Sequence, residues 1–164
     1  EYEKSRDQYF ELHHDASVFA AKLFTGFREF LDLQDDHDDL IKMIPNIPDY
    51  REDSIYTPQG AVKLAESGYW EFSILLRLHI EGKKTIHPAE IVKFNIRYKK
   101  QGNKILYTFA DELDNFELEV KDLDDHLTET CFAKMENMVI NFYKNRVNVF
   151  FEDRTVNRKI GLVT

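Results

Sequence analysis

The densest group of potential metal ligands is the run from Asp35 to Asp39, in which four aspartates flank His37. Carboxylate oxygens are the ligands that hard divalent cations prefer. The run lacks the glycine turn and the distal glutamate of an EF-hand loop, and runs of like charge are usually solvated. A solvated acidic turn whose first carboxylate caps the next helix explains it. We therefore predict no metal site here.

The adjacent histidines and the single cysteine are better explained by packing than by catalysis. His13 and His14 would diverge by about 100° on a helix, so the two rings cannot easily share one metal. Cys131 falls within an apolar helical arc and is predicted to be a buried thiol. With one cysteine the chain forms no internal disulfide, which is typical of a reducing compartment and indicates a cytoplasmic protein.

The common catalytic and nucleotide-binding signatures do not occur in the sequence. It contains no P-loop, no G-x-G-x-x-G, no H-E-x-x-H and no G-x-S-x-G motif. A site can still be assembled from distant positions. The sequence therefore favours a non-catalytic module over an enzyme and predicts no cofactor.

Charge is distributed unevenly in the middle of the chain. Residues 69–104 contain eight Lys and Arg against three Asp and Glu, whereas residues 111–130 contain nine Asp and Glu against one Lys. Four of the cations are predicted to project from one face of a sheet, and we call them the basic strip: Arg77, Lys93, Arg97 and Lys99.

Two interpretations of the basic strip remain open. The favoured one is cross-strand pairing, in which Lys93 and Arg97 face glutamates on neighbouring strands. The candidate partners are Glu71, Glu81, Glu117 and Glu119. The other interpretation is a basic strip with an acidic border that recognises a charged partner surface.

A proline-rich loop precedes the predicted sheet. Pro45, Pro48 and Pro58 prevent a regular element over residues 44–58, and long loops in compact domains are often functional. Within this loop, Tyr50 and Tyr56 are candidate anchors for a partner, since tyrosine is common at binding hot spots. They could equally cover the core.

Hydrophobic periodicity predicts three helices before the sheet. Apolar residues from Tyr9 to Leu31 recur on one face with a period of 3.6, which predicts a long helix over residues 5–33. A short helix is expected over 36–43. Thr57 followed by Pro58 is a helix start and Gly68 a stop, which predicts another helix over 58–67.

From Trp70 the apolar residues alternate with charged ones, which is the pattern of a half-buried strand. Short turns then separate three further alternating segments. A four-stranded antiparallel meander is therefore predicted over about 70–121, with one wet face. A helix is predicted over 124–145, followed by a short fifth strand containing Val147, Val149 and Phe151. Residues 158–163 are expected to pair with that strand as a terminal hairpin.

These elements predict one α+β domain over residues 1–164, with a helical part (1–67) followed by the sheet and the C-terminal helix (68–164). Both long helices should pack on the apolar face of the sheet. The formal net charge of −8 counts against general binding to nucleic acid or anionic membranes. No apolar run approaches the roughly 18 residues of a membrane helix.

The leading functional hypothesis is a non-catalytic module that binds another protein through the basic strip, the proline-rich loop, or both. The first alternative is a ligand-binding or enzymatic domain with a pocket between the N-terminal helix and the sheet. Its polar groups would be His79, Arg77 and Tyr107. The second alternative is nucleic-acid contact through the basic strip, but the aromatic residues alternate away from that face, which counts against it.

Overall fold

The computed structural model describes residues 1–33, 40–51, 53–78, 90–110 and 115–153 of the 164-residue chain. Its elements follow in this order: α1 (Tyr2–Phe30), β1 (Ile41–Ile44), α2 (Pro58–Ala61), β2 (Lys63–Leu64), β3 (Trp70–Leu78), β4 (Glu90–Gln101), β5 (Lys104–Phe109), β6 (Asn115–Glu119), a 3-10 turn (Val120–Asp122), α3 (Leu123–His126), a π-helical turn (Leu127–Cys131) and α4 (Phe132–Asp153).

The long N-terminal helix α1 confirms the periodicity of the sequence. Its fully buried apolar residues begin at Ala16 and recur every three or four positions to Phe27, so one stripe faces the core. The helix ends in a Schellman motif, because Leu33 N donates to Arg28 O and Asp32 adopts a positive φ of 55°.

The sheet confirms the predicted meander and adds two strands to it. Its antiparallel order is β1-β3-β4-β5-β6, and β2 pairs with β3 beyond the end of β1. One of the predicted short turns joins β4 to β5, where Gln101 pairs with Lys104 around Gly102. Gly102 has a φ of 60°, the sign required at the first central position of a type II′ turn.

The apolar face of the sheet packs against α1 and the start of α4, as predicted. The ring of Phe19 stacks on Tyr98 with centroids 4.5 Å apart, and Phe27 contacts both Phe94 (5.7 Å) and Phe132 (6.1 Å). Phe94 has no exposed surface, so the predicted strand register is confirmed.

Three sequence predictions of local structure are wrong. Residues 41–43 are not helical, because Ile41–Ile44 forms β1 and pairs with β3; a short apolar run does not distinguish the two states. Residues 36–39 of that predicted helix lie outside the described residues. The helix predicted over 58–67 ends at Ala61, since Val62 is already extended.

The predicted fifth strand is the third error, because residues 147–151 belong to helix α4, which continues to Asp153. The sequence predicts an end at residue 145 because a continued helix would place Arg146 within the apolar arc. Over residues 132–145 of α4 the fully buried residues end at Met135, and most residues over 140–145 are exposed. A helix that leaves the core need not keep an apolar stripe, so Arg146 does not end it. The predicted pairing of residues 158–163 lies outside the described residues.

Candidate functional site

The four residues of the basic strip lie on the face of the sheet opposite α1 and α4, which we call the outer face. They form two groups, because the buried Ser73 and its neighbour Ile44 lie on this face between Lys93 and Arg97. Because side chains alternate along a strand, the inward Phe72, Ile74 and Leu76 place Arg77 outward. On β4 the inward Phe94 and Ile96 place the strip lysines and Arg97 outward. The outer-face side chains of β5 and β6 are half-buried or exposed. No helix of the described chain therefore covers the outer face at β5 and β6.

Arg97 is the most constrained residue of the basic strip. Its Nε lies 3.1 Å from Oε1 of Glu71, directly opposite on β3, at an angle that makes an ion pair and not an aligned hydrogen bond. Its Nη2 donates a 2.9 Å hydrogen bond to Ser67 Oγ, and the guanidinium lies 5.0 Å from the ring centroid of Tyr69. Arg97 is therefore paired with a glutamate on the neighbouring strand, as the first interpretation of the basic strip predicts.

The two lysines of the strip lie over tyrosine rings. Lys99 Nζ is 5.3 Å from the centroid of Tyr69, and Lys93 Nζ is 5.9 Å from that of Tyr50. Cation–π contacts at exposed sites are each worth about 0.5–1 kcal/mol. Both ammonium groups are thus oriented while remaining accessible. Sequence reasoning missed Tyr69, because one tyrosine before a strand carries no periodic signal.

Arg77 shares the outer face but lies nearer the other end of β3. Its side chain is exposed, and its register partner on β4 is Ile91, which is 45% exposed. The backbone N–H of Arg77 donates to Leu40 O at 2.7 Å, which extends the pairing of β1 with β3. The structure therefore places all four strip residues on one face, with Arg77 beside an exposed apolar residue.

The acidic residues predicted to border the strip lie at the far edge of the same face. Glu117 and Glu119 project outward from β6 and pair with Lys104 and Lys121, each at 3.2 Å. Strand β6 is separated from β4 by β5, a distance of about 10 Å for two strand spacings. The outer face is consequently basic on β4 and acidic on β6, while β3 contributes one glutamate, Glu71, and one arginine, Arg77. Glu81 lies outside the described residues.

The structure separates the two candidate tyrosines of the proline-rich loop. Tyr50 lies against the basic strip beside Lys93. Tyr56 packs against the core, and its hydroxyl accepts a 2.9 Å hydrogen bond from Arg51 N. Only Tyr50 is therefore brought to the outer face.

A polar cluster that the sequence did not predict lies on the opposite, buried side of the sheet. A 2.6 Å hydrogen bond joins the hydroxyl of Tyr107 to Nε2 of His126, and the buried Cys131 thiol lies near enough to Tyr107 to interact with it. In an α-helix, residues five apart point about 140° away from each other. The wider π-helical turn over Leu127–Cys131 instead lets both residues reach one hydroxyl.

Burial keeps this cluster uncharged near neutral pH. It raises the pKa of the Cys131 thiol to about 12 and raises the pKa of Tyr107 above its ordinary value. Burial also lowers the pKa of His126. A thiol that stays protonated is a poor nucleophile, so Cys131 is a structural residue, as its apolar surroundings predicted.

Two of the cavities in the described part of the chain lie beside α1. One, of about 420 Å³, lies between α1 and α3. An ion pair between Lys22 Nζ and Asp124 Oδ1, 3.0 Å apart, spans it. The other, of about 510 Å³, lies between α1, β1 and residues 53–58; Phe24, Met43 and Tyr56 contribute to its lining. We call this second one the edge cavity.

The polar residues proposed for a pocket do not converge on either cavity. Arg77 is on the outer face and Tyr107 is on the buried face, so the sheet separates them. His79 lies outside the described residues. The edge cavity does lie between the N-terminal helix and the sheet, but its polar side chains include Arg28, Lys42 and Asp53 instead.

Among the residues described, no group of three or more His, Cys, Asp or Glu side chains is arranged to hold a metal ion. The run from Asp35 to Asp39 lies outside them, so its predicted lack of a metal site stays a prediction. No described helix is long and apolar enough to span a membrane.

Comparisons of this chain with protein-family models, curated proteins and solved structures found no match.

Proposed function

We propose that this chain is a non-catalytic interaction module whose outer face binds an acidic surface of another protein. One observation carries the proposal: the four cations of the basic strip project from the same face of the sheet, Arg97 and Lys99 at one end of β4 and Lys93 and Arg77 toward the other. Such a face matches the charge complementarity by which proteins steer and orient their partners.

The aromatic contacts support recognition because they orient the cations before a partner arrives. Tyr69 lies beneath Arg97 and Lys99, and Tyr50 lies beside Lys93. Orienting a long side chain in advance reduces the entropy that binding would otherwise cost. Arg77 and Lys93 are the exposed members, so we assign them the direct contacts with the partner.

The same proposal places the protein in the cytoplasm. Support comes from the single cysteine, Cys131, which is buried and unpaired with any other thiol. A cytoplasmic domain needs no disulfide if its core is large enough.

A charge reversal at Lys93 tests the proposal. Arg97 is less suitable, because Arg97→Glu would set two glutamates opposite each other at Glu71 and destabilise the sheet. We would immobilise the parent, Lys93→Glu and the control Lys144→Glu, which makes the same charge change at an exposed position on α4. Proteins captured from a lysate of the source organism would be quantified by mass spectrometry.

We expect at least one protein to be captured by the parent and by Lys144→Glu but to be depleted with Lys93→Glu. Its association rate should fall with rising salt for the parent, since exposed charges are screened. Equal capture by a folded Lys93→Glu variant would refute the role of the basic strip.

The edge cavity supports a second candidate function, binding of a small molecule. Its volume of about 510 Å³ lies within the usual range of ligand pockets, and its lining combines apolar Phe24 and Met43 with charged Arg28 and Asp53. A thermal-shift screen of small amphipathic molecules would compare the parent with Met43→Trp, which fills the cavity. A ligand that stabilises only the parent would support this function, and none doing so would count against it.

A further inference from the structure

We propose that the acidic surface bound by the outer face is that of a second copy of this chain. This inference rests on the proposed function and names a partner for the part of the outer face around Lys99; Lys93 and Arg77 lie beyond the rows that would meet. The outer face carries both signs of charge, basic on β4 and acidic on β6, on either side of β5. A face of this kind is complementary to itself when a two-fold axis exchanges its halves.

Strand register defines where that axis would lie. Lys99 pairs with Leu106, and Leu106 pairs with Glu117, so the three residues form one row across β4, β5 and β6. A two-fold axis parallel to β5 through Leu106 brings β4 of one copy over β6 of the other. Lys99 then lies opposite Glu117 of the second copy, and the same pair forms again across the axis.

The centre of this row suits a contact between two copies. Leu106 is half-buried and would meet Leu106 of the second copy on the axis. Stacked sheets lie about 10 Å apart, a gap that an extended lysine and glutamate can bridge together. The arrangement gives an apolar centre with a charged pair on each side, which resembles the core and rim of known interfaces.

The neighbouring rows are compatible with the same axis. Arg97 and Asn115 share the row through Thr108, and Gln101 and Glu119 share the row through Lys104, so each pair would meet across the axis. Lys104 would approach Lys104 of the second copy. Within each chain, however, Lys104 Nζ already lies 3.2 Å from Glu117 Oε1. That carboxylate reduces the repulsion between the two lysines.

Exchanged charges provide the test. The oligomeric state of the parent, Lys99→Glu and Glu117→Lys would be measured by sedimentation velocity, at low salt and at about 0.5 M salt, where screening is strong. We expect a parent dimer that weakens with salt. Each single variant should dissociate about tenfold or more readily, because each substitution converts two attractive contacts into repulsive ones.

An equimolar mixture of Lys99→Glu and Glu117→Lys should form a heterodimer, because the first variant carries glutamate at both positions and the second carries lysine at both, so opposite charges meet on both sides of the axis. The reciprocal double variant Lys99→Glu with Glu117→Lys should associate with itself, because glutamate again meets lysine on both sides. We therefore expect the double variant to dimerise more tightly than either single variant, although it lacks the Glu117 carboxylate that reduces the repulsion between the two Lys104 side chains. The controls Lys144→Glu and Glu136→Lys change exposed charges on α4 and should leave the dimer intact.

A monomeric parent, or a dimer that neither single variant weakens, would overturn this inference. Folded single variants whose defect the double variant fails to reverse would also overturn it. If the parent is monomeric but still captures another protein in a Lys93-dependent way, the second copy is the wrong partner and the proposed function stands. If the dependence on Lys93 is lost as well, the proposed function fails too.

Discussion

The two faces of the sheet use the same strands for different purposes. On β4, Phe94 has no exposed surface and packs against Phe27, whereas the adjacent Lys93 is exposed and lies over Tyr50. The inner face is held by apolar burial, which is insensitive to salt. The outer face is held by charges and aromatic rings near solvent, where each contact is worth little to stability. We therefore expect substitutions on the inner face to affect folding and those on the outer face to affect binding.

The largest expected effect is that of Phe94→Ala. Removing this buried ring leaves a cavity against Phe27 and Phe109, and such truncations cost about 3–5 kcal/mol of unfolding free energy. Chemical denaturation monitored by circular dichroism measures the change. The neighbouring Lys93→Ala is the matched control and should stay within about 0.5 kcal/mol of the parent. A similar loss in both variants would mean that the two faces do not differ as proposed.

A smaller effect is expected where α1 meets the start of α4. A Cβ added at Gly26 would lie only 2.4 Å from Cζ of Phe132, so Gly26→Ala must displace that ring. Overpacking of this kind costs about 1–3 kcal/mol. At Gly60 the nearest atom would be at 3.4 Å, so Gly60→Ala serves as the control. Equal stability of Gly26→Ala and the parent, by the same denaturation assay, would show that this helix contact is loose.

The smallest effect concerns pH and His126, at the edge of the inner face. Burial lowers the pKa of His126 below its ordinary value of 6.5, so the unfolded chain binds the proton more readily than the folded one. The stability contributed by the neutral ring is fully present above pH 6.5 and is lost as pH falls from there toward the folded-state pKa. The difference in unfolding free energy between parent and His126→Gln should therefore shrink between pH 7 and pH 5. A difference in unfolding free energy that stays constant from pH 7 to pH 5 would contradict the lowered pKa of His126.

The sequence predicts the inner face better than the outer one. The alternation from Trp70 to Leu78 determines which residues are buried, because a shift by one residue would expose every apolar side chain. It also places the basic strip on one face. The partners of that strip depend on tertiary structure: Tyr69 precedes a strand and shows no pattern, yet it contacts both Arg97 and Lys99.

Elements that lack a long pattern were also beyond prediction. The edge strand β1 has four residues and β2 has two, too few to show a period. The cluster of Tyr107, His126 and Cys131 joins a strand to a helical segment through a π-helical turn. No spacing along the sequence reveals that contact, because it exists only once the segment packs on β5.

The most direct test of the account measures stability and association on one variant, Lys93→Glu. We predict that its unfolding free energy stays within about 0.5 kcal/mol of the parent. Its association rate with the protein captured by the parent should fall about tenfold at low salt and approach the parent rate at high salt. A folded Lys93→Glu variant that associates as fast as the parent at low salt would contradict the claim that the outer face is the binding surface.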